Sequence, residues 1–559
     1  MNRRNFIKAS GITLGSLLTA NRICGSGLFA TAQPIMRYPD QVQVVTDRQS
    51  IVLNGSEGTY SSGNIHVKCQ QVHDGLAVTL ASSEEAIRSV IINWHIPRQL
   101  STRIIGDHWE RGYGDLQWKT VDSQRILPWY MVEYDGSVCH GFGVKTAPSA
   151  FCHWQASKDG LTLAMDTRSG GCGVRLGART LRLATIVSLK GEEGERPFAF
   201  IRRFCKTMCD TPRLPKSPIY GINDWYFAYG NNSDKLILQT VDLMIDLARN
   251  TDNRPFCLID AGWAVCAPGD THAGCWSDNF YTPNPNFKDM GALAETIREK
   301  GMRPGLWMRP LCASHDTPPN RLLPSIRRSD SMGRPLLDPT IPENLAYIEK
   351  CFKQYNEWGY EMVKHDFSTV DILGRWGFEM VQKRSITEDG WRFYDSKQTN
   401  AEVILSLYQT IRESAGDIYL IGCNTVSHLA AGLFELQRTG DDTSGHEWER
   451  TLKMGVNTVA FRGTQHNCFY ASDGDCVGLT TQIDWNLNKQ WMQLLAESGT
   501  PLFISAQPEA VGKEQKEWIR HCFDIASTPL PVGEPLDWMQ NQTPSRWLLR
   551  GEEKSFRWQ

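Results

Sequence analysis

The sequence predicts an α/β protein in which a (β/α)8 TIM barrel follows an N-terminal β-sandwich. Short alternating apolar runs, separated by Gly, Asp, Asn and Ser turns, fill residues 41–205, which is typical of a sandwich. From residue 219 onward the pattern changes to repeated strand, loop and helix, as in a parallel barrel. Pro212, Pro215 and Pro218 separate the two patterns, and this cluster predicts a domain boundary.

We therefore divide the chain into four predicted segments. A signal peptide occupies residues 1–32, the sandwich 33–212, the barrel 217–528, and a short or truncated C-terminal β segment 529–559. The last segment contains too few strand-like runs to form an independent sandwich.

The N-terminus carries the features of an export signal. Arg3 and Arg4 form a twin-arginine pattern, residues 9–20 are apolar and small, and residues 30–32 provide an A-x-A cleavage site. The apolar stretch is too short to span a membrane. We expect an exported protein, periplasmic or extracellular, with no membrane association beyond export; a frayed N-terminal helix is the alternative.

Composition limits the classes of partner. The chain has 559 residues with a formal net charge of -3, so no basic footprint indicates binding to nucleic acid or to an anionic membrane. Its nineteen tryptophans provide flat faces that can stack on sugar rings, although most are expected to fill cores.

The second region contains eight predicted strands that alternate with helices. Helices are predicted from Ser233 to Ala248, over 290–300, and from Pro342 to Gly359. In such barrels the chemistry lies at the carboxyl ends of the strands. The predicted strands are 219–226, 256–260, 303–308, 359–366, 418–422, 432–436, 456–461 and 502–505.

Two acidic strand ends are the strongest catalytic signal. Asp366 ends one predicted strand, and Asp441 and Asp442 closely follow another. One nucleophile and one proton donor facing the same sugar carbon are what retaining glycoside hydrolysis requires. Lys364 shares a strand face with Asp366, so we expect its cation to keep that carboxylate ionised.

Several motifs, in order, resemble those of the α-galactosidase (melibiase-like) clan of retaining glycoside hydrolases. The layout is closest to the bacterial family that places a β-sandwich before the barrel, and residues 106–115 resemble that family's N-terminal domain. The motifs of the second region are Asn223-Asp224-Trp225, Asp260 to Trp263, Gly305-Leu306-Trp307, Leu337 to Thr340, Lys364-His365-Asp366, Arg438 with Asp442, and Ser498 to Ser505.

The resemblance implies a role for each matching residue. Asp366 is expected to be the nucleophile and Asp442 the acid/base, although Asp441 is adjacent and stays open. Asp442 must then be protonated while Asp366 is not. Residues expected to bind substrate are Asp260, Trp263, Trp307, Lys364, Cys423, Asn424 and Arg438, of which the two tryptophans could equally belong to the core.

One position departs from the galactose-specific pattern. Many members carry two consecutive aspartates at the second strand, whereas this chain has Asp260 followed by Ala261. Loss of a charged acceptor can be worth about 1.5–3 kcal/mol. The expected substrate is an α-galactoside of an oligosaccharide or glycoconjugate. A related pyranose (N-acetylgalactosamine, glucose or β-L-arabinopyranose), a catalytically silent sugar-binding protein and transglycosylation stay open.

No metal or cofactor is predicted. The sixteen cysteines include no C-x-x-C, which argues against a zinc cluster or a thioredoxin-like site. Asn467, Asp473 and Asp475 resemble a family loop near the site, but they lack EF-hand spacing and could form a self-capped turn. Pairing of Cys266 with Cys275 or of Cys468 with Cys476 is left open, as is a homo-oligomeric state.

Overall fold

The computed structural model describes residues 36–266 and 277–559. The predicted signal peptide lies outside the described residues, as does Cys275. Within the two described ranges, no helix combines the length and the apolar character that crossing a bilayer requires.

Two antiparallel sheets, one of seven strands and one of nine, form the N-terminal region. Their strands are β1 (Gln41–Thr46), β2 (Ser50–Val52), β3 (Asn54–Ser56), β4 (Thr59–Ser62), β5 (Ile65–Val72), β6 (Gly75–Ser82), β7 (Ala86–His95), β8 (Arg103–Gly106), β9 (Lys119–Thr120), β10 (Leu127–Pro128), β11 (Tyr130–Tyr134), β12 (Cys139–Val144), β13 (Phe151–Ala156), β14 (Gly160–Asp166), β15 (Val174–Arg175) and β16 (Thr180–Lys190).

The burial pattern of these strands gives a sheet one buried face and one exposed face. In β5, Ile65 and Val67 are buried, whereas His66 and Lys68 are exposed. Because side chains alternate between the two faces of a strand, one face of the sheet is left to pack inward. The first sheet has the order β10-β13-β14-β7-β1-β2 with β15 beside β7, and the second has the order β3-β4-β5-β6-β16-β12-β11-β8-β9.

A parallel sheet of nine strands forms the second region, in the order β23-β22-β21-β20-β19-β18-β17-β25-β24. Only Gly474 and Asp475 separate β23 from β24, yet these two strands pair at opposite ends of the row. The sheet therefore curls until its two edge strands are joined by this two-residue connection. Its strands are β17 (Tyr220–Asn223), β18 (Phe256–Ile259), β19 (Arg303–Met308), β20 (Met362–His365), β21 (Tyr419–Gly422), β22 (Leu436–Arg438), β23 (Ala471–Asp473), β24 (Cys476–Leu479) and β25 (Leu502–Ala506).

Helices lie between most of the parallel strands. Ser233 caps α3 by accepting a hydrogen bond from the backbone of Leu236, and Gly359 ends α5 in the left-handed conformation. The helices are α1 (Pro197–Met208), α2 (Trp225–Ala228), α3 (Asp234–Ile245), α4 (Met290–Glu299), α5 (Pro342–Trp358), α6 (Ser368–Leu373), α7 (Gly377–Gln382), α8 (Asn400–Ala415), α9 (Ser427–Ala430), α10 (Trp448–Thr451), α11 (Asn457–Arg462), α12 (Trp485–Glu497) and α13 (Lys513–Ala526).

One predicted strand is wrong, another is shorter than predicted, and the strand predicted over 432–436 begins only at Leu436 and ends at Arg438. Residues 456–461 are helical, because a π-helix over Leu452–Val456 runs directly into α11. A short apolar run that is buried on all sides fits both the two-residue period of a strand and the 3.6-residue period of a helix. The pattern alone therefore does not distinguish a strand from a helix. In the parallel sheet, the position predicted for the seventh strand, between β22 and β25, is occupied by β23 and β24. The strand predicted over 219–226 ends at Asn223, where α2 follows.

The C-terminal segment forms a small antiparallel sheet of three strands, β26 (Glu534–Pro535), β27 (Arg546–Leu549) and β28 (Glu552–Ser555). Trp538 of this segment contacts the ring of Trp118 from the N-terminal region and the ring of Phe461 from α11. The segment therefore packs against both larger regions.

Candidate active site

Asp366 directly follows β20 and is fixed by three N–H donors. Its Oδ1 accepts hydrogen bonds from the backbone N–H groups of Phe367, at 2.8 Å, and Asn424, at 3.1 Å. Its Oδ2 accepts one from Nε1 of Trp307 at 3.2 Å. The residue is 8% exposed. The carboxylate is thus held in one orientation at the end of the parallel sheet.

The backbone after Asp366 is strained. Phe367 has φ 64°, in the left-handed region that a bulky residue rarely adopts. This conformation turns the chain from β20 into α6 within two residues and brings the N–H of Phe367 back to the Asp366 carboxylate. Strain of this kind concentrates at functional sites.

Asp442 is held by arginines rather than by backbone donors. Nη2 of Arg438 lies 3.0 Å from its Oδ1, and Nη1 of Arg111 lies 3.6 Å from the same oxygen. Burial alone would raise the pKa of Asp442, but the charges of Arg438, Arg111 and Lys364 outweigh it and lower the pKa to about 2. Both the 41% exposure of its side chain and the lowered pKa favour the ionised form of Asp442 in the ligand-free state. This is the reverse of the protonation state expected for it.

Residues 423 and 424 connect the two carboxylates. They follow β21, which lies between β20 and β22 in the sheet. The N–H of Asn424 reaches Asp366, and Nη1 of Arg438 lies 3.7 Å from Sγ of Cys423. The structure therefore gathers Asp366, Asp442 and Arg438 around one pair of loop residues.

Lys364 pairs with Asp260. Its Nζ lies 2.7 Å from Oδ2 of Asp260, which is therefore its ion-pair partner. The charge of Lys364 also interacts with that of Asp366, and the expected support of Asp366 by this cation stays a prediction. Nδ2 of Asn223 donates to the same oxygen at 2.7 Å. Burial, and then the charge of Asp260, raise the pKa of the neighbouring Asp224 to about 7.

Trp263 belongs to the core. It is fully buried, its Nε1 donates to the carbonyl oxygen of Trp307 at 2.8 Å, and its ring contacts Tyr355 and Trp358 of α5. No face is left for a sugar, so the predicted role of Trp263 as a platform is wrong. The reason is that the loop after β18 turns this ring toward the helix layer.

Trp307 and Asn424 reach the site in ways that the sequence did not indicate. Trp307 is 1% exposed and presents its N–H to Asp366 rather than an open ring face. The side chain of Asn424 is engaged internally: its Nδ2 donates to Glu110, and its Oδ1 accepts from the N–H of Val370 at 3.0 Å. It therefore braces the loop beside Asp366.

The N-terminal region supplies two charged residues that sequence reasoning did not single out. Arg111 lies 3.0 Å from Asp441 as well as 3.6 Å from Asp442. Glu110 is fully buried and accepts hydrogen bonds from Asn424 and from the N–H of Gly377. The motif at residues 106–115 was a signal that this segment reaches the site, but it did not identify these contacts.

Close backbone contact holds this loop in place. The N–H of Gly112 donates to the carbonyl oxygen of Thr439 at 2.8 Å, and the N–H of Asp441 donates to the carbonyl oxygen of Gly112 at 2.9 Å. A Cβ on Gly440 would lie 1.9 Å from the backbone oxygen of Met454, so only glycine fits there. The buried ion pair of Arg462 with Asp107, at 2.9 Å, anchors the loop from beneath.

Asp475 is a further site residue, because it shares Arg438 with Asp442. Its Oδ2 lies 2.9 Å from Nη2 of Arg438 and accepts hydrogen bonds from Tyr226 and Thr443. Oδ1 of Asp473 accepts the N–H of Asp475 at 3.0 Å, as a self-capped turn requires. In the described ranges, no group of three or more His, Cys, Asp or Glu residues is arranged to hold a metal ion.

Cys423 is a thiol between charged groups. Burial, and then the charge of Asp366, raise its pKa well above the usual value, and the neighbouring cations do not reverse this. Cys468 and Cys476, which the sequence left open as a pair, are both free.

Similarity to solved structures supports the fold. The α-galactosidase from Thermus thermophilus, solved with p-nitrophenyl α-D-galactopyranoside, matches with a TM-score of 0.59 and 16% identity over 92% of this chain and 98% of its own. A GH36 α-galactosidase from Geobacillus stearothermophilus, solved with 1-deoxygalactonojirimycin, matches with a TM-score of 0.59 and 13% identity. The match covers 91% of this chain and 79% of that chain. A GH31 sulfoquinovosidase from E. rectale, solved with an aza-sugar inhibitor, matches with a TM-score of 0.57 and 12% identity. The match covers 93% of this chain and 87% of that chain.

At these identities the likeness shows a shared fold. The chain has the fold of these glycoside hydrolases, and the predicted resemblance to α-galactosidases is confirmed at that level. No protein-family model matches the chain, and no curated protein matches it.

Proposed function

We propose that the protein is a retaining exo-α-glycosidase that removes terminal α-galactoside-type residues from oligosaccharides or glycoconjugates. The observation that carries this proposal is the pair of carboxylates at one end of the parallel sheet. Asp366 is fixed by three N–H donors, and Asp442 is paired with Arg438 two strands away. Two carboxylates facing one sugar are the requirement for glycoside hydrolysis with retention.

In this mechanism Asp366 attacks the anomeric carbon while Asp442 protonates the departing oxygen. The covalent glycosyl-aspartate is then hydrolysed by a water molecule that Asp442 deprotonates, so the configuration is retained. Arg438 orients Asp442, and the Asp260–Lys364 pair provides acceptors and donors for sugar hydroxyls.

The lowered pKa of Asp442 has a direct kinetic consequence. The acid must carry a proton in the first step, and above its pKa the protonated fraction falls about tenfold per pH unit. We therefore expect kcat/KM for substrates with poor leaving groups to rise as the pH falls below neutral. Aryl glycosides with activated leaving groups need little protonation, so their kcat/KM should fall much less steeply as the pH rises.

The α-galactoside assignment is supported by the resemblance in sequence motifs and by the two α-galactosidases that share the fold. Ala261 supports a second candidate, a glycosidase for a related pyranose, because a carboxylate expected to bind galactose is missing there.

The curled sheet is interpreted as a (β/α)8 barrel closed through β23 and β24, and residues 1–32 as a twin-arginine export signal.

A substrate panel tests the proposal. Aryl α-glycosides of galactose, N-acetylgalactosamine and glucose, together with the aryl β-L-arabinopyranoside, are assayed for turnover, and NMR identifies the anomer that is released first. We expect turnover of at least one α-glycoside with release of the α-anomer. Sugar binding without any turnover would favour a silent binding protein, and initial release of the β-anomer from an α-glycoside would exclude the double displacement.

A further inference from the structure

Asp475 lies where the two edge strands of the curled sheet are joined. It forms the connection between β23 and β24 together with Gly474, and its φ of 72° is in the left-handed region. Residues other than glycine adopt this conformation rarely, although aspartate does so more often than most. The proposed catalytic roles do not use this carboxylate, yet only 3% of the side chain is exposed. A carboxylate buried to this extent requires fixed partners.

Four donor groups converge on Oδ2 of Asp475. The N–H and the hydroxyl of Thr443 donate to it at 2.8 and 3.0 Å, and the hydroxyl of Tyr226 donates to it as well. The fourth group is Nη2 of Arg438, at 2.9 Å. Because Thr443 directly follows Asp442 in the chain, Asp475 is connected to the proposed acid/base both through the backbone and through Arg438.

One nitrogen of Arg438 serves both carboxylates. Nη2 lies 3.0 Å from Oδ1 of Asp442 and 2.9 Å from Oδ2 of Asp475. Burial alone would lower the pKa of Arg438, but neighbouring negative charges, among which that of Asp475 has the largest effect, raise the pKa well above its usual value. Asp475 is therefore the main counter-ion of Arg438, although the spacing in sequence pairs Arg438 with Asp442.

The cations around Asp442 share this arrangement. Burial would raise the pKa of Asp442 and three cations lower it, but each of these cations is also paired with a further carboxylate. The pairs are Arg438 with Asp475, at 2.9 Å, Arg111 with Asp441, at 3.0 Å, and Lys364 with Asp260, at 2.7 Å. The phenol groups of Tyr226 and Tyr229 face Asp442 as well. A cation that is compensated by a second carboxylate acts less strongly on Asp442.

We propose that Asp475 is a positioning residue for the acid/base, which compensates the charge of Arg438 so that Asp442 can take up the proton that it passes to the leaving oxygen. This rests on the proposed function, because it takes Asp442 as the proton donor. Asp475 acts through Arg438 and Thr443, without contact with the substrate.

Asp475→Asn tests the proposal, because it removes the charge and nearly keeps the shape of the side chain. The uncompensated Arg438 should lower the pKa of Asp442, so that less Asp442 is protonated at a given pH. We expect kcat/KM for an oligosaccharide to fall about tenfold at each pH between about 5 and 8, and that for an activated aryl glycoside to stay within about twofold.

Glu497→Gln is the matched control. Its side chain is 2% exposed and pairs with Lys554, and it lies at the end of α12, before β25 begins. Because strands of a parallel sheet begin at one edge and end at the other, this carboxylate lies away from the site. The variant should keep wild-type kcat/KM for both substrates.

A double variant distinguishes a charge effect from a loss of fold. Arg111→Met removes another cation from Asp442 and acts on its pKa in the opposite direction. The double variant Asp475→Asn with Arg111→Met should therefore regain oligosaccharide activity relative to Asp475→Asn, which a misfolded protein would not do. Equal losses for the two substrates in Asp475→Asn, without recovery in the double variant, overturn the proposal.

Chemical labelling separates failure of this proposal from failure of the proposed function, because it needs no turnover. A water-soluble carbodiimide with an added amine labels carboxyl groups at a rate that follows their protonated fraction, and the side chain of Asp442 is 41% exposed. Peptide mass spectrometry should show labelling of Asp442 about tenfold slower in Asp475→Asn than in wild type at the same pH. Slower labelling without wild-type turnover on any glycoside removes the proposed function alone. Equal labelling rates in the two proteins overturn the role of Asp475.

Discussion

The two sides of the proposed catalytic pair hold their carboxylates by different means. Asp366 is 8% exposed and receives hydrogen bonds from two backbone N–H groups and one indole. The side chain of Asp442 is 41% exposed and is paired with two arginines, one of which comes from the N-terminal region. Rigid neutral donors suit a nucleophile that must keep one position. Charged partners suit a group that must gain and lose a proton, because their charge and distance set its pKa.

The difference also has an architectural side. The donors to Asp366 belong to the parallel sheet and its loops, whereas Asp442 is paired both with Arg438 of that sheet and with Arg111, which comes from the N-terminal region. The N-terminal region is thus part of the site.

The largest expected effect tests the nucleophile side. Asp366→Asn should lower kcat by about 10⁴-fold or more, because no carboxylate remains to form the covalent intermediate. Circular dichroism and thermal unfolding should match wild type. Glu361→Gln removes a carboxylate at the opposite end of the same strand and should keep activity. Near-wild-type turnover by Asp366→Asn would remove Asp366 from its role.

The next effect tests the proton-transfer side. Asp442→Asn should lower kcat/KM for natural oligosaccharides by about 10²–10³-fold but for activated aryl glycosides by less than about tenfold, because a good leaving group needs little protonation. Asp441→Asn is the matched variant one residue away. If that variant shows the substrate-dependent loss and Asp442→Asn does not, the two assignments are exchanged.

The smallest effect tests the contribution of the sandwich. Arg111→Met removes a cation beside Asp442, so the pKa of that carboxyl should rise. Because the acid must be protonated, the alkaline limb of kcat/KM for oligosaccharides should move up by about one pH unit. Arg450→Met removes a partner of Asp441 alone and should leave the alkaline limb of the pH profile at its wild-type position. Arg111→Lys keeps a cation near Asp442, so its alkaline limb should lie between those of wild type and Arg111→Met. A loss of activity without any shift of the limb would indicate that Arg111 acts only on structure.

Much of the site followed from local sequence. A buried apolar strand that ends in a charged residue places that residue at the rim of a parallel sheet, which is why Asp366, Lys364, Asp260 and Arg438 were found at strand ends. The β-strands of the N-terminal region could be predicted because alternation of period two is visible within a few residues.

Tertiary structure decided the remainder, because it depends on which distant segments meet. Glu110 and Asn424 touch across 314 positions, and no spacing rule connects residues so far apart. Trp263 and Trp307 look alike in sequence, yet packing buries one against α5 and points the N–H of the other at Asp366. The sequence by itself determined which side chains reach the rim, since that depends on local periodicity. Only the folded chain decided their partners and charges, since those depend on burial and on contacts between regions.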